Sequence, residues 1–275
     1  MRLLQIIQGL GVRPPGSPSR AERTILREVQ AESGPLVYPP GGFGLIWSAK
    51  SACTTAILWY FAHVGVLEAA MRHNHWPHRY RVDVLPHLDR VKEWVRQRDL
   101  ADLRWVRVIR DPYARAVSSY RHALRYGYEN ERIEKTLGFS VATRGFSFDE
   151  FLTHLARINI TRCNLHHRQQ RNPIEDHVRD VTVINADRRP LLEALYEFAD
   201  PGPAARELLA GEMKRVAAMH HARRAAVEDD RSRQVFTLEE TAGAWPDYGA
   251  FLNADTRARI ERIYHADFRA YATFL

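Results

Sequence analysis

Cysteine is nearly absent: Cys53 and Cys163 are the only two in 275 residues. Two cysteines cannot build a disulfide framework or a cysteine-based zinc site, and they suit a reducing compartment. Long apolar runs are missing as well. Met1 to Leu10 is too short and too polar to span a bilayer and lacks the apolar stretch of a signal peptide. It suits a packing strand or helix, with contact to a membrane surface as a secondary reading. Nothing further along reaches spanning length, so a cytoplasmic location, at most peripheral to a membrane, is expected. Lysine is scarce too: Lys50, Lys92, Lys135 and Lys214 are four of 40 basic residues. Genomic base composition alone can cause that, but it isolates Lys50. There are 13 histidines, yet no tight constellation of metal ligands, so no metal is expected. No internal repeat or low-complexity segment is present.

What is present describes an ordinary globular chain, 45% hydrophobic and 27% charged, long enough for one large domain. The net charge of +7 favours anionic ligands. The arginines are dispersed without aromatic interleaving, which argues against nucleic acid as the partner. Oligomeric state cannot be read.

Pro14, Pro15, Gly16 and Pro18 mark residues 11–20 as a loop, and Arg20 to Glu32 reads as a short helix. Phe43 to Trp47 suits a buried strand. Thr54 to Ala70 has helical spacing, Tyr80 to Leu85 alternates like a strand, and Asp89 to Asp99 reads as a charged helix. Leu103 to Ile109 is strand-like and Tyr113 to Tyr126 helical. Ser147 with Glu150 forms a capping box for a helix over Phe148 to Ile158. Val181 to Asn185 reads as a buried strand, and Asp187 as a helix start before Leu191 to Phe198. After Pro201-Gly202-Pro203 the pattern is mainly helical, with a loop near Gly243 to Gly249. Alternating strands and helices predict a single α/β domain over residues 1–275, with a parallel sheet covered on both faces over about 42–200 and a mostly helical part over about 203–275.

Two segments carry chemistry. Ile46 to Thr55, reading Ile-Trp-Ser-Ala-Lys-Ser-Ala-Cys-Thr-Thr, runs from a strand through a loop into a helix. Such a loop points backbone N–H groups and a helix dipole at an anion; Lys50 adds a mobile charge, and Ser51, Thr54 and Thr55 add hydroxyls. Helix capping by Ser and Thr is the plain alternative. Val106 to Ser118 ends a strand on Arg110 and places Ser118 roughly two helical turns later, after an Asp111-Pro112 helix start. A surface ion pair for Arg110 and a solvated position for Ser118 are the alternatives. Together the segments suggest two phosphate sites on one nucleotide. The kinase loop G-x-x-x-x-G-K-[ST] is nearly matched by Gly44, Lys50 and Ser51, but Ala49 stands at its second glycine.

Lys50-Ser51-Ala52-Cys53-Thr54-Thr55 resembles the 5′-phosphosulfate loop of sulfotransferases that use 3′-phosphoadenosine-5′-phosphosulfate (PAPS), and Val108-Ile109-Arg110-Asp111-Pro112 with Ser118 resembles their 3′-phosphate motif. The Ala-Cys variant, Phe146 to Leu152 and the terminal Tyr264-His265-Ala266-Asp267-Phe268 resemble the carbohydrate branch. Ala49 replaces the usual proline, and Ala52-Cys53 the usual glycine, which leaves the loop's backbone shape open. The resemblance implies a P-loop-containing nucleotide-binding fold and PAPS as the sulfuryl donor without a metal. It implies Lys50, Ser51, Ala52, Cys53, Thr54 and Thr55 at the 5′ end, with Lys50 also stabilising the leaving phosphate. Arg110 and Ser118 fall at the 3′ end. The implied acceptor is a hydroxyl of a carbohydrate or glycolipid.

Deprotonating that hydroxyl calls for a base near neutral pH. His87 is expected, since it follows the strand-like Val82 to Leu85 and lies 23 residues before Arg110, close to where the resembling enzymes place a catalytic histidine. His75, His78 and Glu68 are rivals. His63 reads as structural, and His166 and His167 as substrate-contacting or packed. Arg162, His166, His167, Arg168 and Arg171 read as a solvated basic face or a seat for an acidic acceptor. Cys53, at a helix start, reads as a small packing residue rather than a reactive thiol. Tyr264 and Phe268 read as core. Two other functions stay open: a P-loop kinase using Mg-ATP, with Asp111 holding the metal, and a non-enzymatic binder of acidic polymers.

Overall fold

The computed structural model describes residues 18–97, 99–220, 224–225 and 229–275. The expectation for Met1 to Leu10 lies outside them. Helix α1 (Arg20–Gln30) opens on a complete capping box between Ser19 and Glu22. Four strands form the main sheet: β1 (Leu36–Tyr38), β2 (Phe43–Ile46), β3 (Arg104–Ile109) and β4 (Asp180–Asn185). Their order is β1-β2-β3-β4, with β1 antiparallel at the edge and the other three parallel. Parallel neighbours require crossovers, so helices cover the faces.

The first crossover runs through α2 (Cys53–Val64), α3 (Leu67–His73), α4 (Pro77–Asp83) and α5 (Asp89–Trp94). Helix α2 buries Ala56 to Phe61 without a break, as a helix enclosed on all sides does. The helix expected over Thr54 to Ala70 is two, divided at Gly65, which caps α2 with φ 69°. The strand expected over Tyr80 to Leu85 is absent. Pro77 starts α4 there, and a 3₁₀ turn over Leu85–His87 follows. Alternation over six residues misled because Tyr80, Arg81 and Leu85 bury one side of a turn-and-a-half of helix.

After β3 comes α6 (Pro112–Tyr126), then α7 (Asn130–Leu137) and α8 (Phe148–Arg157). The Ser147–Glu150 capping box at α8 is complete. Beyond β4 lie α9 (Leu191–Phe198), α10 (Pro203–His220), α11 (Ala254–Ile263) and α12 (His265–Tyr271). Two apolar cores result. One gathers Leu45, Leu58, Trp59, Val106, Leu195 and Leu209 around the sheet. The other gathers Tyr120, Phe148, Phe151, Trp245, Phe251 and Tyr264. Helix α6, which follows β3, supplies Ala116, Val117, Tyr120, Ala123 and Leu124 to the second core. Among the described residues no helix is long and apolar enough to cross a membrane.

Candidate active site

Gly44, the first glycine of the near-kinase pattern, sits inside β2 opposite Trp105. A Cβ there would lie 2.4 Å from the Trp105 ring. Packing requires this glycine, and it is not in the loop that follows.

That loop has an unusual backbone. Lys50 has φ 65° and Ala52 φ 52°, the only positive values at non-glycine residues among those described. Each costs about 1–2 kcal/mol, so surrounding contacts must impose the shape. Four consecutive residues are tied down. Ser48 Oγ accepts from Arg107 Nη2 at 2.8 Å, and Ala49 O from Arg115 Nε at 3.0 Å. Lys50 O accepts from Arg110 Nη1 at 3.4 Å, and Ser51 Oγ donates to Gln170 Oε1 at 2.7 Å. Arg107 of β3, Arg110 just after it and Arg115 of α6 thus hold loop oxygens, while Ser51 N donates to Ser48 O at 3.3 Å within the loop. No side chain caps α2, so its N-terminal N–H groups and dipole remain available to an anion.

Lys50 stands where a charge is costly. Its ammonium is held down to about 8, first by desolvation, then by Arg110, Arg121 and Arg115, against a raising effect of Cys53. A bound anion would reverse this. Cys53 Sγ lies 3.5 Å from His78 Nε2, and burial pushes the thiol's pKa up, which fits packing rather than reactivity. Ser51 is fully buried and spends its hydroxyl on Gln170, so it is a brace and not the open donor expected. Thr54 and Thr55 are half-buried at the helix start.

Arg110 meets the loop directly through Lys50 O. Its Nε also pairs with Asp187 Oδ1 at 3.2 Å, and Asp187 Oδ2 accepts from Asp111 N at 2.9 Å. Asp187 therefore aims Arg110 rather than starting α9, whose N-cap is Pro190. Asp111 caps α6 through Tyr113 N and Ala114 N. Ser118 is half-buried on α6; its neighbour Ser119 is fully buried and donates to His166 O at 2.6 Å.

Gln170 links the two motifs. Its Oε1 accepts from Ser51 Oγ and from Arg110 N (2.9 Å), and its Nε2 donates to Arg110 O at 2.9 Å. Gln170 is itself fixed: buried Asp267 accepts from Gln170 N and Arg171 N at 2.9 and 2.7 Å. Tyr264 OH donates to His167 O, and Arg115 Nη2 to Arg168 O. Of the five basic residues expected to form a solvated face only Arg162 is exposed. His167 and Gln170 are buried, and the segment is stapled across the site. The terminal Tyr-x-x-Asp-Phe pattern does this stapling, with Phe268 packed against Tyr113.

The histidines divide clearly. His87 is exposed on the 3₁₀ turn, and the strand that would have put it at the sheet edge is not there. His75 is exposed, and Glu68 pairs with Arg72 in solvent. His63 packs among Phe43, Trp59 and Tyr38, as a structural residue does. His122 and His166 feel the charge of Lys50. His122 had a signal, falling four residues after Ser118 on one face of α6. Gln170 had none, lying in an unpatterned stretch.

The fold and site define a mostly parallel α/β protein in which an uncapped helix start, a desolvated lysine and a strand-end arginine converge. Residues 49–272 match the sulfotransferase family model. The chain belongs to the sulfotransferase family and is a transferase of sulfuryl groups. No curated protein and no solved structure matches it. Among the described residues, no group of three histidine, cysteine or acidic side chains could hold a metal ion.

Proposed function

We propose that this sulfotransferase moves a sulfuryl group from PAPS to a hydroxyl of a carbohydrate or glycolipid acceptor by in-line displacement. The observation that carries the reading is the direct tie between the two motifs, Arg110 Nη1 to Lys50 O with Gln170 bridging both. On this reading one cationic group serves each end of a nucleotide phosphorylated at 3′ and 5′. Lys50 and the α2 N–H groups, with Thr54 and Thr55, take the 5′-phosphosulfate; Arg110 and Ser118 take the 3′-phosphate. As the S–O bond to the 5′-phosphate breaks, Lys50 and the helix dipole meet the developing charge in a site where no reorganisation is needed. Asp111 Oδ1 accepts from Tyr113 N and Ala114 N, which gives this carboxylate a capping task in the fold.

The carbohydrate reading rests on the Ala-Cys loop variant and on two exposed tyrosines against His122. Tyr126 and Tyr128 are 58% and 37% exposed, and Arg125 lies over the Tyr126 ring at 5.7 Å. Ring faces beside cations suit sugars bearing acidic groups. Incubation with ³⁵S-labelled PAPS and a panel of desulfated glycans and glycolipids tests the reading. Label on a sugar, lost in Lys50→Ala, supports it. Phosphate transfer from Mg-ATP instead would put a kinase in its place.

A further inference from the structure

Three contacts converge on one imidazole beside the loop. The His122 and His166 rings stack with centroids 4.0 Å apart and planes 25° apart. His166 Nδ1 lies 2.9 Å from Asn164 Oδ1, which also accepts from His166 N at 3.0 Å. An amide oxygen only accepts, so Nδ1 carries the proton and Nε2 keeps its lone pair. The backbone is pinned on both sides, by Ser119 Oγ donating to His166 O and by Tyr264 OH donating to His167 O. His122 is held in turn, its Nδ1 2.8 Å from Tyr128 OH. His78, by contrast, has Nε2 against Cys53 Sγ and its ring between Trp47 and Trp76.

We propose that His166 is the general base of the transfer, and that Asn164 and His122 are its positioning residues. The inference rests on the PAPS-dependent reading above. The acceptor O–H proton passes to His166 Nε2 as the acceptor oxygen bonds to sulfur. The bond from sulfur to the 5′-phosphate oxygen breaks, 3′,5′-adenosine bisphosphate leaves with that electron pair, and the imidazolium returns its proton to solvent. The groups facing the pair are Lys50 from the loop, Arg115, Arg125 and Tyr126 from α6, His167 from the stapled segment and Tyr128 after α6. Burial first, then Lys50, hold His166 down to about 4 and His122 down to about 2. Phosphates on Lys50 cancel its repulsion, so donor binding itself raises the basicity of His166.

The test is histidine NMR on the full chain, free and with 3′,5′-adenosine bisphosphate. The expected result is an Nδ1–H tautomer for His166 and an upward pKa shift on binding. Alongside it, release of labelled sulfate from PAPS with water as acceptor reports turnover. His166→Ala should lower turnover at least about 100-fold with bisphosphate affinity nearly unchanged. His122→Phe should keep a rate that His122→Ala loses, with the acid limb of the pH profile displaced in His122→Ala. A bisphosphate that binds while His166 is unmoved, or a loss confined to His78 or His87 variants, overturns the assignment. A bisphosphate that does not bind at all overturns the donor reading instead.

Discussion

Donor affinity should fall with rising pH because of one lysine. In the free protein Lys50 is held near 8, below the usual 10.5, chiefly by desolvation and then by Arg110, Arg121 and Arg115. A phosphate beside it favours the charged form, so the pKa in the complex is higher than in the free protein. The sign follows: the contribution of Lys50 to affinity is complete at pH 7 and below and is lost as pH rises through the free-state value towards the bound-state value. Phosphate is already fully ionised above pH 7, its second pKa being about 6, and His122 and His166 titrate far lower, so neither masks the effect. From pH 7 to 9.5 the loss can reach about 1.5 decades, roughly 30-fold or 2 kcal/mol. Calorimetric titration with 3′,5′-adenosine bisphosphate at pH 7, 8, 9 and 9.5 measures it. Buffers of different ionisation enthalpy should reveal uptake approaching one proton above pH 8. Lys50→Arg, permanently charged, should bind with a flat profile. A flat wild-type profile, or an unchanged slope in Lys50→Arg, refutes the reasoning. Without ligand the same shift has the opposite consequence: the unfolded chain holds more protons between about 8 and 10.5, so stability rises with pH there.

Gln170→Ala removes three hydrogen bonds and leaves the Ser51 hydroxyl buried without a partner; urea unfolding should show a loss of roughly 2–4 kcal/mol, with donor affinity falling as well. Ala52→Gly relieves a residue at φ 52° and should stabilise the chain by about 1 kcal/mol, seen as a rise in Tm of roughly 2 °C. Arg110→Ala should weaken 3′,5′-adenosine bisphosphate about 10- to 100-fold while barely changing 5′-AMP, so titration of both ligands isolates the 3′-phosphate. Arg107→Ala takes one cation from buried Glu175, which keeps Arg171 at 3.3 Å, and removes the donor to Ser48 Oγ; the same unfolding assay should show a loss of roughly 2–3 kcal/mol.

Local signals announced most of the frame. Phe43 to Trp47, Leu103 to Ile109 and Val181 to Asn185 are short apolar runs between helical stretches, and each is a sheet strand. The Ser147–Glu150 spacing gave a helix start directly. Tyr80 to Leu85 differs because six alternating residues fit a strand and one face of a short helix equally well, and Pro77 opens the helix. Within the site, Lys50 and Arg110 were legible because strand–loop–helix junctions advertise themselves by composition. The tasks of Gln170, Asp187 and Asp267 were not, since they depend on contacts 60 to 119 residues away along the chain. Local patterning carries no trace of such pairings. The positive φ at Ala52, where glycine is usual, likewise depends on tertiary ties at Ser48 to Ser51 that outweigh intrinsic preference.

The central claim is that one site takes a nucleotide by two phosphates, and calorimetry tests it most directly. Wild-type protein should bind 3′,5′-adenosine bisphosphate without Mg²⁺ and at least about tenfold more tightly than 5′-AMP, as a charge-assisted contact to the added phosphate requires. Binding of Mg-ATP in its place, with no preference for the 3′-phosphate, would contradict the account.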